Sequence, residues 1–167
     1  NLWVGTEHGL HQLNRKTGAF SVYLADPSKP RSLAHNAVRS LHIDAHDGLW
    51  VGYFPSGISY LERTSRFFTT VRHDPNETNG LNQASVLSLQ ESADGDLWIG
   101  TDGGGLNHLD RETGSFTHYK NHPAQPHSLS ANAVLTIAPA SNQRWWIGTW
   151  YGALNLFDPQ TERFEHY

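Results

Sequence analysis

The chain contains no cysteine, which removes disulfide bridges, thiolate metal sites and a cysteine nucleophile together. No block of basic residues occurs and the formal net charge is −4, so nucleic acid and anionic membrane surfaces are poor partners. No apolar run approaches the roughly 20 residues of a membrane-spanning helix, and no direct membrane contact is expected of this segment. A sustained 3.6-residue periodicity is missing, so essentially no long helix is expected. The Gly-x-Ser-x-Gly elbow and the His-Glu-x-x-His helix are absent too, and neither a catalytic residue nor a metal site nor a cofactor is predicted.

What is present is a globular composition, with 37% apolar and 17% charged residues in 167. That length suits one domain. The chain opens on "NLWVGT", which reads as mid-strand, and stops on "RFEHY", which predicts a portion of something longer.

An internal repeat dominates. "LWVGT" at 2–6 returns as "LWVGY" at 49–53, "LWIGT" at 97–101 and "WWIGT" at 145–149. Trp3, Trp50, Trp98 and Trp146 are 47, 48 and 48 residues apart, and Phe20, Phe68, Phe116 and Phe164 keep a step of 48. Each unit holds four short apolar segments, a to d. Segment a is "AVRSLHI" (37–43), "SVLSLQ" (85–90) or "AVLTIA" (133–138), and segment b is the Trp-Gly run. Segment c is "GLHQL" (9–13), "GISYL" (57–61), "GLNHL" (105–109) or "ALNLF" (153–157), and segment d is "FSVY", "FTTV", "FTHY" or "FEHY". Rich in β-branched and aromatic residues and bounded by turn formers, they read as strands. Asp47-Gly48 and Asp94-Gly95 predict two-residue hairpins between a and b, and Thr17-Gly18 and Thr113-Gly114 predict turns between c and d.

Four antiparallel strands repeated every 40–50 residues are the signature of a β-propeller blade. The expected fold is therefore all-β, with about four blades: 1–23 (lacking strand a), 24–71, 72–119 and 120–167. Strand a would have to follow Tyr167 for the ring to close, so a part of a larger propeller is expected, with two copies joined edge to edge as the alternative. The repeated Trp should lie between blades, and Gly5, Gly52, Gly100 and Gly148 should leave room for a neighbouring blade's side chain.

The stretch "LWIGTDGGGLNHLDRETGSFTHY" and the linker "HPAQPHSLSANAV" resemble the two-component regulator propeller repeat. That resemblance covers the whole chain. It implies a periplasmic, ligand-sensing, non-catalytic module of bacterial hybrid histidine kinases and related receptors.

Candidate binding residues come from comparing the four b–c loops, "TEHG", "YFPSG", "TDGGG" and "TWYG". Asp102 belongs to the plainest loop, and Glu7 and His8 fill the first. Tyr53-Phe54 and Trp150-Tyr151 place exposed aromatics where a blade accepts Asp-Gly, which suits a carbohydrate or another small polar ligand with an apolar face. Packing against adjacent loops or a partner domain explains them equally well. The d–a linkers add Arg31, His35, Asn36 and Asn132, although the asparagines suit local backbone bonding better. His118 and His166, on the outer strand d, are expected to face solvent. Two rival functions stay open: a propeller lyase or hydrolase with Glu7, His8 or His35 converging near the axis, and an architectural docking module whose aromatics anchor a partner.

Overall fold

A computed structural model describes residues 1–167. It contains fifteen strands and no helix. β1 (Leu2–Thr6), β2 (Gly9–Leu13) and β3 (Phe20–Tyr23) form the first blade. β4 (Val38–Ile43), β5 (Leu49–Tyr53), β6 (Ile58–Leu61) and β7 (Thr69–Val71) form the second. β8 (Val86–Glu91), β9 (Leu97–Thr101), β10 (Gly105–Leu109) and β11 (Phe116–Tyr119) form the third. The fourth comprises β12 (Val134–Pro139), β13 (Trp145–Thr149), β14 (Leu154–Asp158) and β15 (Arg163–His166). Every sheet is an antiparallel meander, and the inner strands β4, β8 and β12 lie side by side at the hub.

The alternation of strand b explains how the blades stack. Leu49, Val51 and Tyr53 pack toward the first blade, while Trp50 packs toward the third. Leu97 and Ile99 repeat the first arrangement and Trp98 the second, its ring 5.7 Å from Trp145 and 5.6 Å from Phe157. The three apolar clusters thus lie between consecutive blades, not within them. The glycine two residues after each Trp admits the next blade's inner strand. A Cβ on Gly5, Gly52 or Gly100 would meet Val38, Val86 or Val134 Cγ1 at 2.5, 2.7 and 2.7 Å.

The outermost faces break the pattern. Leu10, Ile58 and Leu106 are fully buried, whereas the equivalent Leu154 is 45% exposed. Leu2 and Val4 are exposed, unlike their buried counterparts Leu49 and Val51. Phe20 lies open where Phe68 and Phe164 are buried, and Trp146 is half-buried against Tyr167.

The a–b hairpins differ from expectation. Asp44 and Gly48 flank a loop of three residues, as do Ser92 and Asp96, with Asp47 and Gly95 at positive φ in the last loop position. A turn followed by a left-handed residue matches strand twist as well as the two-residue form does. The fourth blade instead places Asn142 and Gln143 at φ 60° and 59°.

A buried ion cluster joins the second and third blades near these hairpins. Arg111 Nη2 lies 3.1 Å from Asp44 Oδ2 and Nη1 lies 3.2 Å from Glu91 Oε1, with the guanidinium over Trp50. Asp44 also accepts bonds from the Gly48 N–H and the Trp50 indole N–H. Burial alone would raise its pKa, but these donors, the His46 N–H and Arg111 outweigh it and hold the carboxyl below its ordinary value.

Candidate ligand-binding face

The b–c loops leave their sheets on one repeated backbone frame. Phe54, Asp102 and Trp150 donate N–H bonds to the carbonyls of Ala37, Ser85 and Ala133, at 3.3, 2.9 and 2.8 Å. All six residues keep the step of 48, so the blade dictates the backbone and leaves the side chain free to vary. Glu7 is the corresponding residue of the first blade. The residue before each corner has a different task. Thr6, Thr101 and Thr149 donate Oγ1–H to the carbonyls of Gly9, Gly105 and Ala153, at 3.0, 2.9 and 2.9 Å.

Tyr53 stands where those threonines do, and this corrects its expected exposure. Strand alternation turns its ring with Leu49 and Val51 toward the first blade, where it is fully buried among Leu10, Leu33 and Val38. Burial pushes the hydroxyl up to about 12 against a smaller opposing pull from Ser59 and the Ala34 backbone, neither of which reaches hydrogen-bond geometry with the oxygen. The other loop aromatics are open to solvent. Phe54, Trp150 and Tyr151 are 40%, 54% and 94% exposed, and the last two rings meet edge to face at 5.3 Å. Tyr151 holds φ at 58°, a strained conformation for an aromatic residue.

Glu7 and Phe54 meet through a residue the sequence reading passed over. Arg39 Nη1 lies 2.8 Å from Glu7 Oε1, and its guanidinium stands 5.8 Å from the Phe54 ring centre. Arg39 occupies the bulge in β4, where the equivalent residues are Leu87 and Leu135. An arginine at a position the other blades fill with leucine was the available signal.

The linker residues are differently employed. Asn36 and Asn132 accept the N–H of Ala25 and Asn121 on their side-chain oxygens, at 2.8 and 2.7 Å. Their carbonyls take the N–H of Gly9 and Gly105, so each stitches a linker to the preceding blade. His35 Nδ1 accepts the Ala37 N–H at 3.0 Å, and His8 is exposed. Arg31 lies apart from the b–c loops, beside Phe67 and Phe68 at the outer strand of the second blade. His118 and His166 donate Nε2–H to the carbonyls of Gly80 and Ser128 at 2.8 Å; His166 is exposed as expected, whereas His118 is half-buried. Asn107 and Asn155, fully buried in strand c and not anticipated, accept the N–H of Asn82 and Ser130. Glu7, His8 and His35 form no converging triad, and no three metal-ligating side chains come together.

This face can do two things chemically: stack apolar surface on Phe54, Trp150 and Tyr151, and hydrogen-bond polar groups through Glu7, Arg39 and Asp102.

No curated protein matches the sequence. Residues 80–103 match the two component regulator propeller. The extracellular domain of BT3049 from B. thetaiotaomicron, classed as a hybrid two component system, is similar at 34% identity and a TM-score of 0.82. That similarity covers 98% of this chain and 21% of the other, so the chain spans about a fifth of its length. The fold alone is shared with PorZ, a surface component of the type-IX secretion system of Porphyromonas gingivalis (18% identity, 89% and 22% of the two chains, TM-score 0.66). It is shared as well with virginiamycin B lyase from Staphylococcus aureus (13% identity, 96% and 48%, TM-score 0.67). In sequence and in fold, this chain carries the two-component regulator propeller repeat, as four blades of which the first has three strands.

Proposed function

We propose that the chain is part of a non-catalytic, ligand-sensing propeller outside the cytoplasmic membrane, serving as the input region of a bacterial two-component-type receptor. The likeness to an extracellular domain of a hybrid two component system supports both the role and a periplasmic location. One observation carries the site: a single backbone frame presents Phe54, Asp102 and Trp150 at equivalent corners, and Glu7 holds the matching position of the first blade. Rigid blades with divergent corners are how a repeat scaffold builds recognition. A small polar ligand with an apolar face, such as an oligosaccharide, would stack on the aromatics and bond to Glu7, Arg39 and Asp102. Ligand binding would act on output by favouring one of two arrangements of the receptor dimer.

The exposed end faces belong to the same proposal. Gly148 offers the recess that Val38, Val86 and Val134 fill at the three other glycines, and only Thr136 of its own blade stands near it. A further blade of the same repeat would bring its strand-a valine to that recess.

The test is a full-length receptor carrying this chain, assayed for signalling output against a panel of soluble oligosaccharides. Phe54→Ala with Trp150→Ala should abolish the response to the activating sugar while leaving the receptor folded. An unchanged response would move the binding site off this face.

A further inference from the structure

A second concave site lies on the outer rim between the first two blades, away from the b–c loops. The linker after β3 runs along the outer edge of the second blade, held where the Phe68 N–H bonds the Arg31 carbonyl at 3.0 Å. Between linker and blade is an open groove of about 520 Å³. Leu33 and Phe68, both buried, are part of its lining, and Leu24 and Phe67 border it at 51% and 55% exposure. Lys29, Arg31 and Arg66 line it as well. Lys29 is paired with Asp26 at 3.0 Å, but Arg31 and Arg66 make no ion pair. The Arg31 guanidinium stands 5.4 Å from the Phe67 ring centre, which leaves its N–H edge free to donate.

The repeat supplies the control. Leu24 and Phe67 correspond to Arg72 and Ser115 one blade later, and to Lys120 and Arg163 two blades later. Lys29, Arg31 and Arg66 correspond to Glu77, Asn79 and Gly114, then to Gln125, His127 and Glu162. The blade fold therefore requires neither the exposed apolar pair nor the three cations, and all five depart together in one groove. On a chain of net charge −4, two unpaired guanidiniums beside exposed apolar side chains favour a ligand that is anionic at one end and apolar at the other.

We propose that this outer-rim groove binds a small amphiphilic anion, an alkyl or aryl chain ending in a carboxylate, with Arg31 and Arg66 on the carboxylate and Leu24, Leu33 and Phe67 on the chain. The site is independent of the sensing face and stands whether or not that face binds a sugar.

The probe is decanoate, titrated calorimetrically into the whole chain below its micellar concentration, with amide shifts of the 15N-labelled protein locating the contact. Decanoate should bind and perturb residues 24–33 and 66–68, and the paired change Arg31→Gln with Arg66→Gln should weaken it by about tenfold or more. Arg72→Gln and Arg163→Gln, which answer to Leu24 and Phe67 in the other blades and lie outside this groove, should leave it unchanged. Decyltrimethylammonium, with the same chain and the opposite charge, should bind far more weakly. Failure of decanoate to bind, equal binding of the cation, shifts centred elsewhere, or an unaltered affinity in the double variant would each overturn the proposal.

Discussion

Val134 Cγ1 stands 2.7 Å from the place a Cβ on Gly100 would occupy, so the inner strand of the fourth blade rests where the third blade has no side chain. Val38 and Val86 stand in the same relation to Gly5 and Gly52. Replacing Gly100 with Ala would force apart two close-packed sheets at a cost of roughly 1–3 kcal/mol. Gly148→Ala meets only Thr136 of its own blade and should cost less. Urea unfolding of the two variants side by side checks the ordering.

The same asymmetry governs the tryptophans. Trp98 is buried between blades among Trp145, Phe157 and Tyr119, whereas Trp146 is half-buried on an outer face. Trp98→Ala should cost about 3–5 kcal/mol. Trp146→Ala should cost distinctly less, and equal losses would show that the outer face is as well packed as the inner ones.

Tyr53→Phe separates a packing residue from a ligand residue. The change removes a buried hydroxyl that has no partner, so the variant should be at least as stable, by up to about 1 kcal/mol. Sugar response in the receptor should be untouched. A lost response with intact stability would restore Tyr53 to the binding face.

The period itself was legible in the sequence, since Trp, Phe and Gly landmarks report which faces must be covered. Side-chain direction at a corner was not read from it, although the alignment of Tyr53 with Thr6, Thr101 and Thr149 contained the answer: a residue one step past the glycine points to the other side of the sheet. Contacts between blades lay beyond any single repeat. Arg15, Arg63 and Arg111 are equivalent, yet only Arg111 follows a blade with an a–b hairpin, where it finds Asp44, whereas Arg63 pairs with Asp47 of its own blade's hairpin. Arg39 and Glu7 meet for the same reason, being distant in sequence and adjacent across an interface.

The Asp44 carboxyl gives the chain an acid limit. Its folded pKa lies below the ordinary 3.8, so its stabilisation is complete above that value and is lost as pH falls through the native pKa. Asp44→Asn should cost roughly 3 kcal/mol at neutral pH by leaving Arg111 with Glu91 alone. The penalty should shrink as pH falls below 3.8 and through the lowered native pKa, where the wild-type carboxyl itself protonates. Thermal melts of both proteins from pH 7 to 2 would show the curves converging; a constant gap would remove Asp44 from the acid transition.

Because the apolar clusters sit at the three seams, no blade owns a core. A single 48-residue unit cut from this chain would have both faces in water, and enclosing even one cluster takes two consecutive blades. Stability then propagates by nearest neighbours, as in a stack of coins, and opening starts from the ends. Amide exchange should accordingly be slowest in β5 and β9, each flanked by blades on both sides, and fastest in β1 and β15.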